Sequence, residues 1–223
     1  MQSLYLKAKE FLWTYLIIAL FIVVILVVFS KYDIHVFING FHSPFFDRFF
    51  LSYTNVGDGH FAVFLIVLML LYSFRSSLLM GTSIAVTGII VTFIKRVLFY
   101  GTPRPITFFK GLYHLYIVPG LEPNEINSFP SGHSATAFAV FLCLAIIVYP
   151  VWVKYLFFIF AVLVCYSRMY LSEHFLRDVF AGSIIGIMTS CFVYLFFEQY
   201  GKRIWDASVL LWLQKVYLKC FNR

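Results

Sequence analysis

Charged residues are scarce in this chain: Asp, Glu, Lys and Arg make up 12% of its 223 residues, whereas hydrophobic residues make up 62%. This composition lies far outside the usual range of soluble domains and excludes an ordinary water-soluble enzyme. The alternating polar positions that a membrane β-barrel requires are also missing. A mean hydropathy of +0.89 therefore predicts an all-α fold, in which residues 1–223 form a single helical domain in a lipid bilayer.

Cysteine is also rare, and the four cysteines show no metal-ligand or redox spacing: Cys143, Cys165, Cys191 and Cys220. We interpret them as packing residues. No arrangement of Asp, His and Glu resembles a metal cage, so neither a metal nor an organic cofactor is expected. The net charge of +7 is attributed to membrane topology and contact with anionic headgroups, not to nucleic-acid binding.

Six apolar runs approach the roughly 20 residues needed to cross the hydrocarbon core. They are residues 11–29, 57–74, 77–94, 132–149, 151–170 and 179–197. The first run is long and lacks a small-x-small cleavage site, so it is expected to be a retained span and not a secretion signal. Five of the seven prolines fall in 95–131, which predicts an irregular but structured loop there.

An even number of spans places both termini on one side and the connections 30–56, 95–131 and 171–178 on the other. The terminal side carries nine Lys and Arg residues, and the opposite side carries eight. Four of those eight belong to the site described next, so the positive-inside rule predicts cytoplasmic termini and extracytoplasmic connections. Residues 202–221 mix apolar and basic positions, and we expect an amphipathic helix on the inner leaflet.

Three polar clusters stand beside these spans, where a membrane protein should avoid ionisable side chains. They are Lys95-Arg96 with Arg104-Pro105, Pro130-Ser131-Gly132-His133, and Ser167-Arg168 with His174 and Asp178. Taken singly, each also fits a plain structural role, as a positive flank, a turn, a helix start or a surface pair. Their conjunction on one predicted side of the membrane favours a shared site.

The residue types in these clusters point to phosphate chemistry. Several permanent cations beside a helix start suit a multiply charged oxyanion, and arginine forks match phosphate geometry. The i,i+4 spacing lets Asp178 accept a hydrogen bond from one nitrogen of His174, which leaves the other nitrogen free to attack phosphorus. His133 would supply a proton carrier.

The clusters resemble the three-part motif of the type 2 phosphatidic acid phosphatase (PAP2) superfamily, which includes bacterial lipid phosphatases and vanadium haloperoxidases. The resemblance covers a motif core at 95–178. It implies that His174 forms a phosphohistidine, Asp178 orients its ring and His133 protonates the leaving oxygen. It also implies the phosphate-binding residues Lys95, Arg104, Ser131, Gly132 and Arg168, with further motif positions at Pro105, Pro130 and Ser167.

The spacing of the first motif departs from the family. Members usually place fewer residues between the motif lysine and Arg-Pro, whereas eight lie between Lys95 and Arg104 and seven between Arg96 and Arg104. We assign the lysine role to Lys95, with Arg96 as the alternative. Glu173 would repel phosphate unless it turned away. The other histidines, His35, His42, His60 and His114, are interpreted as polar loop residues.

The site is expected at headgroup depth, so its substrate would be a phosphate carried on a lipid. Four substrates fit without ranking: undecaprenyl pyrophosphate, phosphatidylglycerol phosphate, phosphatidic acid and lipid A phosphate. The alternatives are a lipid-phosphate transporter or a phosphotransferase using the same anion site, and a noncatalytic assembly protein. Transporters usually bind near the bilayer midplane, whereas these clusters lie at one end. The prediction is a metal-independent lipid phosphatase of the bacterial inner membrane, with its site facing the periplasm.

Overall fold

The computed structural model describes residues 2–200 and 209–210. Within these residues the regular structure is helical, and Pro103 and Ile126 form an isolated β-bridge. The helices are α1 Gln2–Val28, α2 Lys31–Asn39, α3 Pro44–Tyr53, α4 Gly59–Tyr72, α5 Phe74–Phe93, α6 Pro105–Phe108, α7 Gly132–Ile147, α8 Val151–Tyr170 and α9 Leu176–Tyr200. A 3-10 turn at Thr54–Gly57 joins α3 to α4, and a π-helical turn at Ile94–Leu98 extends α5. The all-α prediction is confirmed for the described residues.

Each predicted span falls on a helix, but the helices differ in length. By length and composition, α1, α8, α9 and α5 with its π-helical turn could each cross a membrane. The segments Pro44–Gly57 and Gly59–Tyr72 pass that test only as a pair bent by 56°, and α7 has 16 residues. The structure thus supports four candidate spans, or five with the bent pair, and six spans remain a prediction. The predicted helix at 202–221 lies outside the described residues, except at 209–210.

Helix α7 is the centre of the bundle. Twelve of its 16 residues are buried, and it packs against α5, α8 and α9. Gly182 and Gly186 allow α9 to approach closely, since a Cβ added at either would overlap the carbonyl oxygen of Ser131 or Ala135. Small residues at a helix contact let two backbones come together in this way.

The cysteines have the packing role expected of them where the structure describes them. Cys143 and Cys165 are buried and Cys191 is half-buried, whereas Cys220 lies outside the described residues.

Two helices in the connection 30–56 were not predicted. Ser30 Oγ accepts a hydrogen bond from the Asp33 N–H at 3.1 Å and so caps α2. Ser43 Oγ accepts from the Phe46 N–H at 3.3 Å and caps α3, which has a proline at its first position. Serine caps and an N-terminal proline are ordinary helix-start signals, so these helices could have been predicted.

The connection 95–131 folds back on itself, which confirms the prediction of an irregular, structured loop. The Arg104 N–H donates to the Glu125 carbonyl oxygen at 2.9 Å, and the Ser128 N–H donates to the Thr102 carbonyl oxygen at 3.1 Å. The one-turn helix α6 is the only helical segment the structure describes between the π-helical turn and α7. This folding brings Arg104 to the end of the bundle where α8 turns into α9.

Candidate active site

His174 lies in the turn between α8 and α9, and only 1% of its surface is exposed. The His174 N–H donates to the Arg168 carbonyl oxygen at 3.1 Å, and Ser172 takes a positive φ of 54°. Ser172 Oγ accepts a hydrogen bond from Asn39 Nδ2 at 3.1 Å and lies 3.2 Å from His35 Nε2. The unpredicted helix α2 therefore supports the turn that carries His174.

Asp178 is fixed one helical turn after His174. Its Oδ2 accepts hydrogen bonds from Ser128 Oγ at 2.5 Å and from the Phe175 N–H at 3.1 Å. The same oxygen lies 3.9 Å from His174 Nδ1, which is ion-pair range but too long for a hydrogen bond. Among the described residues this Nδ1 has no hydrogen-bond partner, and a small shift of the ring would give it one.

The environment of His174 favours the neutral ring. Burial lowers the pKa of His174 to about 3, and the charges of Arg104 and Arg168 act in the same direction, whereas Asp178 opposes them. At neutral pH the imidazole therefore keeps a free lone pair, which a nucleophile requires. Because Nδ1 faces Asp178, the free nitrogen is Nε2.

The two predicted phosphate-binding arginines meet at a single carboxylate. Arg104 Nη1 donates to Glu173 Oε2, and Arg168 Nη2 lies 3.4 Å from the same oxygen. Arg168 Nη1 donates to Thr54 Oγ1 at 2.7 Å, while Arg168 Nε is buried without a partner in the described part of the chain. Glu173 does not turn away from the arginines, because its carboxylate lies between them.

The loop holds Arg104 in place through its main chain and its guanidinium. Arg104 Nε donates to the Ile126 carbonyl oxygen at 3.0 Å, and Nη1 reaches the Glu173 carbonyl oxygen at 3.3 Å. Burial lowers the pKa of Arg104, and the Glu173 carboxylate opposes this shift. The next residue, Pro105, is buried and begins α6, so the Arg-Pro pair both presents a cation and starts a turn.

The π-helical turn bears on the unusual spacing of the first motif. Such a turn accommodates an extra residue and is frequent at functional sites. It contains both candidate lysine-role residues. Lys95 is half-buried and interacts electrostatically with Arg104, Arg168 and Asp178, whereas Arg96 is exposed. This placement favours Lys95 for the lysine role.

The start of α7 combines a capping serine with an open glycine. Ser131 Oγ accepts from the N–H and the hydroxyl of Ser134, at 3.4 and 3.0 Å, so the Ser131 hydroxyl proton can still be donated. A Cβ added at Gly132 would meet only Val91, at 3.8 Å. Protein packing therefore does not require a glycine at position 132. Close approach of a phosphate to the helix start would require one. Pro130, which precedes this pair, is buried.

His133 lies against the bend between α3 and α4, which the sequence did not link to the site. A Cβ added at Gly57 would stand 2.6 Å from Val164 Cγ1 and 3.0 Å from His133 Cβ. His133 interacts electrostatically with Arg168 and Asp58. Asp58 was visible in the sequence as a charge at the start of an apolar run, but nothing local connected it to His133.

Ser167 has a role within its own helix. Ser167 is fully buried, and its hydroxyl donates to the Val164 carbonyl oxygen at 2.7 Å. The structure thus brings Arg104, Arg168 and His174 together, with Lys95 and His133 within electrostatic range of the arginines.

The family model for the PAP2 superfamily matches residues 76–202. This match covers more than half of the chain, and the protein belongs to the PAP2 superfamily. Together with the apolar helices, this makes it a multi-pass membrane protein.

Two relatives are similar in sequence. The lipid A 4'-phosphatase of Bacteroides thetaiotaomicron is 30% identical over 159 residues, which is 67% of this chain and 69% of the relative. The undecaprenyl-diphosphatase of Sulfolobus acidocaldarius is 33% identical over 129 residues, which is 56% of this chain and 58% of that relative. Both relatives are phosphatases of lipid phosphates by name.

Two solved structures share the fold. LpxE of Aquifex aeolicus superposes with a TM-score of 0.66 at 26% identity, covering 73% of this chain and 93% of LpxE. The PAP2-type phosphatidylglycerolphosphate phosphatase of Bacillus subtilis superposes with a TM-score of 0.61 at 24% identity, covering 89% and 98%. The second likeness shows the fold alone.

Proposed function

We propose that this protein is a membrane lipid phosphatase that releases orthophosphate from a lipid phosphate ester or diphosphate. The observation that carries the proposal is the meeting of Arg104 and Arg168 beside a neutral, buried His174. Guanidinium donors suit the equatorial oxygens of phosphate, and a neutral imidazole suits attack on phosphorus. The phosphatase relatives support the same reaction class.

In the proposed reaction His174 Nε2 attacks the terminal phosphorus and a P–N bond forms, while the bond from that phosphorus to the departing oxygen breaks. The departing oxygen belongs to the lipid alcohol in an ester and to the lipid monophosphate in a diphosphate. His133 donates a proton to the departing oxygen. Asp178 stabilises the imidazolium that develops on His174. Water then attacks the phosphohistidine, His133 takes a proton from it, and the P–N bond breaks to release orthophosphate.

The proposed phosphate pocket consists of one lysine, two arginines and the start of α7. Lys95, Arg104 and Arg168 would contact the equatorial oxygens, with the Ser131 hydroxyl and the Gly132 N–H. Preorganised donors of this kind stabilise the charge of the transition state, and removing one commonly costs about 3 kcal/mol. This cationic set is proposed to act without a metal, so a chelator should leave turnover unchanged.

The proposed topology has six spans in the bacterial inner membrane, and residues 1–223 form one unit. The termini and the interfacial helix 202–221 would be cytoplasmic, and the active site would face the periplasm. The substrate would enter sideways from the outer leaflet. Support comes from the positive-inside count and from the clustering of the site residues at one end of the bundle. A reporter fused after Arg223 should be active only in the cytoplasm.

The decisive experiment incubates the purified protein in detergent with a panel of lipid phosphates and measures released orthophosphate. The panel contains undecaprenyl pyrophosphate, phosphatidylglycerol phosphate, phosphatidic acid and lipid A phosphate, each with and without EDTA. We expect release from at least one lipid, retained in EDTA and abolished in His174→Ala. His60→Ala is the matched control, because the His60 side chain is 97% exposed.

Each failure of this experiment has a separate meaning. Release that persists at a normal rate in His174→Ala would reject the proposed nucleophile. Loss of release in EDTA, restored by magnesium, would reject metal independence. A lack of release from every lipid would reject the enzyme. Movement of lipid phosphates across vesicles reconstituted with the same protein would then support the transporter.

A further inference from the structure

The carboxylate of Glu173 occupies the point where the two arginines of the pocket converge. The residue is 4% exposed. Its Oε2 accepts from Arg104 Nη1, lies 3.4 Å from Arg168 Nη2 and accepts from Asn124 Nδ2 at 3.4 Å. One buried oxygen thus lies against donors from two segments of the chain, the connection 95–131 and helix α8.

The donors around Glu173 could bind an oxyanion that has more acceptor oxygens than the Glu173 carboxylate offers them. Arg168 Nε is buried and has no partner among the described residues, although it belongs to the same guanidinium that approaches Glu173. A carboxylate and a phosphate present similar anionic oxygens to an arginine fork. The carboxylate therefore lies at one oxygen position of a larger anion site.

The charge of Glu173 must act on any phosphate that enters. A buried carboxylate is stable only when cations pair with it, and the cations that pair with Glu173 are the ones proposed to hold phosphate. If both anions stayed at this point, two negative charges would share the same donors. The carboxylate must then leave the arginines when phosphate binds them.

We propose that Glu173 is an internal anion of the phosphate pocket, which competes with phosphate for Arg104 and Arg168. This inference rests on the proposed function, because it takes the arginines as the phosphate site. Free orthophosphate must displace Glu173 with its charge alone, whereas a lipid phosphate also gains binding from its apolar tail. Glu173 would thus be a specificity-determining residue that disfavours orthophosphate, the product, relative to lipid phosphates.

If Glu173 only positioned the arginines, removing its charge would have the opposite effect on phosphate affinity from the one expected of a competitor. Glu173→Gln keeps the size of the side chain and an acceptor oxygen for the arginines. If Glu173 only positioned the arginines, the weaker amide would hold them less well and phosphate would bind more weakly. If Glu173 competes with phosphate, its neutral replacement makes phosphate bind more tightly.

The test measures orthophosphate binding directly, in a background that cannot turn over. His174→Ala protein in detergent is titrated calorimetrically with sodium orthophosphate at neutral pH, alone and combined with Glu173→Gln, Glu173→Asp or Glu122→Gln. We expect Kd to fall about tenfold or more with Glu173→Gln, since a close like charge is removed. Glu122→Gln is the control, because Glu122 is exposed in the neighbouring loop and its loss should leave Kd unchanged.

The outcomes separate this inference from the proposed function. An unchanged or higher Kd with Glu173→Gln overturns the inference, as does a lack of phosphate binding in every variant. If Glu173→Gln does not fold, Glu173→Asp decides, because the shorter carboxylate reaches the arginines less well and should also lower Kd. Tighter phosphate binding in a protein that releases phosphate from no lipid would keep this inference and reject the enzyme.

Discussion

The main-chain N–H of Ser131 donates to the carbonyl oxygen of Asp178 at 3.0 Å. This bond joins the start of α7 to the first turn of α9, and so fixes the helix start that carries Gly132 and His133 against the segment that carries His174. Gly182 lies one helical turn beyond Asp178, against the carbonyl oxygen of Ser131. The geometry of the site therefore depends on how closely the two helices approach.

Gly132→Ala should leave the fold intact and reduce activity. The added methyl would meet only Val91, at an ordinary 3.8 Å, but it would stand where phosphate is proposed to approach the helix start. We expect kcat/KM for a lipid phosphate to fall about 100-fold with an unchanged Tm. Gly81→Ala is the matched control, because its nearest contact is also 3.8 Å and it lies away from the site. Normal turnover in Gly132→Ala would remove that backbone from the phosphate site.

Gly182→Ala should instead destabilise the protein. Its methyl would overlap the Ser131 carbonyl oxygen and approach Ser134 Cβ at 3.2 Å, so α9 would have to move away from α7. Overpacking of this kind typically costs about 1–3 kcal/mol, and we expect a clearly lower Tm in detergent. An unchanged Tm would show that the two helices can separate without cost.

The sequence identified the site residues whose charge is conspicuous beside apolar runs. Arg104, Arg168 and His174 were found because a bilayer protein rarely places ionisable groups next to its spans. Thr54 and Gly57 could not be found in this way, because their contacts with Arg168 and His133 depend on how a bent helix pair packs against α7 and α8. No local pattern encodes such a long-range contact.

Other differences between the sequence predictions and the structure concern residues whose surroundings could not be inferred from the sequence. His35 was interpreted as a polar loop residue, yet it is 1% exposed and packs against the rings of Phe109 and Phe175. Its burial follows from α2, which the hydropathy search passed over because its residues are mixed in polarity. Glu173 was identified as a residue that would repel phosphate unless it turned away, and its carboxylate instead pairs with two arginines.

Arg168→Lys should fold but turn over poorly. The guanidinium contacts Thr54 through Nη1 and is proposed to hold phosphate through its other nitrogens, and a single ammonium cannot do both. We expect kcat/KM to fall about 100-fold, which corresponds to roughly 3 kcal/mol of transition-state stabilisation. Arg48→Lys is the control, since Arg48 is exposed on α3. Equal kcat/KM values for the two variants would contradict the argument that Arg168 needs the several nitrogens of its guanidinium.

The stability of the protein should fall in acid partly through His35. Burial lowers the pKa of His35 from 6.5 to about 4, and Asp178 opposes the shift. Because the folded pKa lies below the unfolded value, the unfolded chain binds more protons as the pH drops. The contribution of His35 is therefore complete above about pH 6.5 and is lost as the pH falls toward 4, with a limit of about 3 kcal/mol.

His35→Gln tests this directly, because glutamine does not titrate. Between pH 6.5 and 4 the free energy of unfolding of the variant should fall less steeply than that of the parent, by up to about 1.4 kcal/mol per pH unit. Some acid sensitivity should remain, since burial also lowers the pKa of His174. The exposed His60 provides the control, and His60→Gln should keep the parent's slope. Parallel curves for the parent and His35→Gln would mean that His35 does not couple protonation to folding.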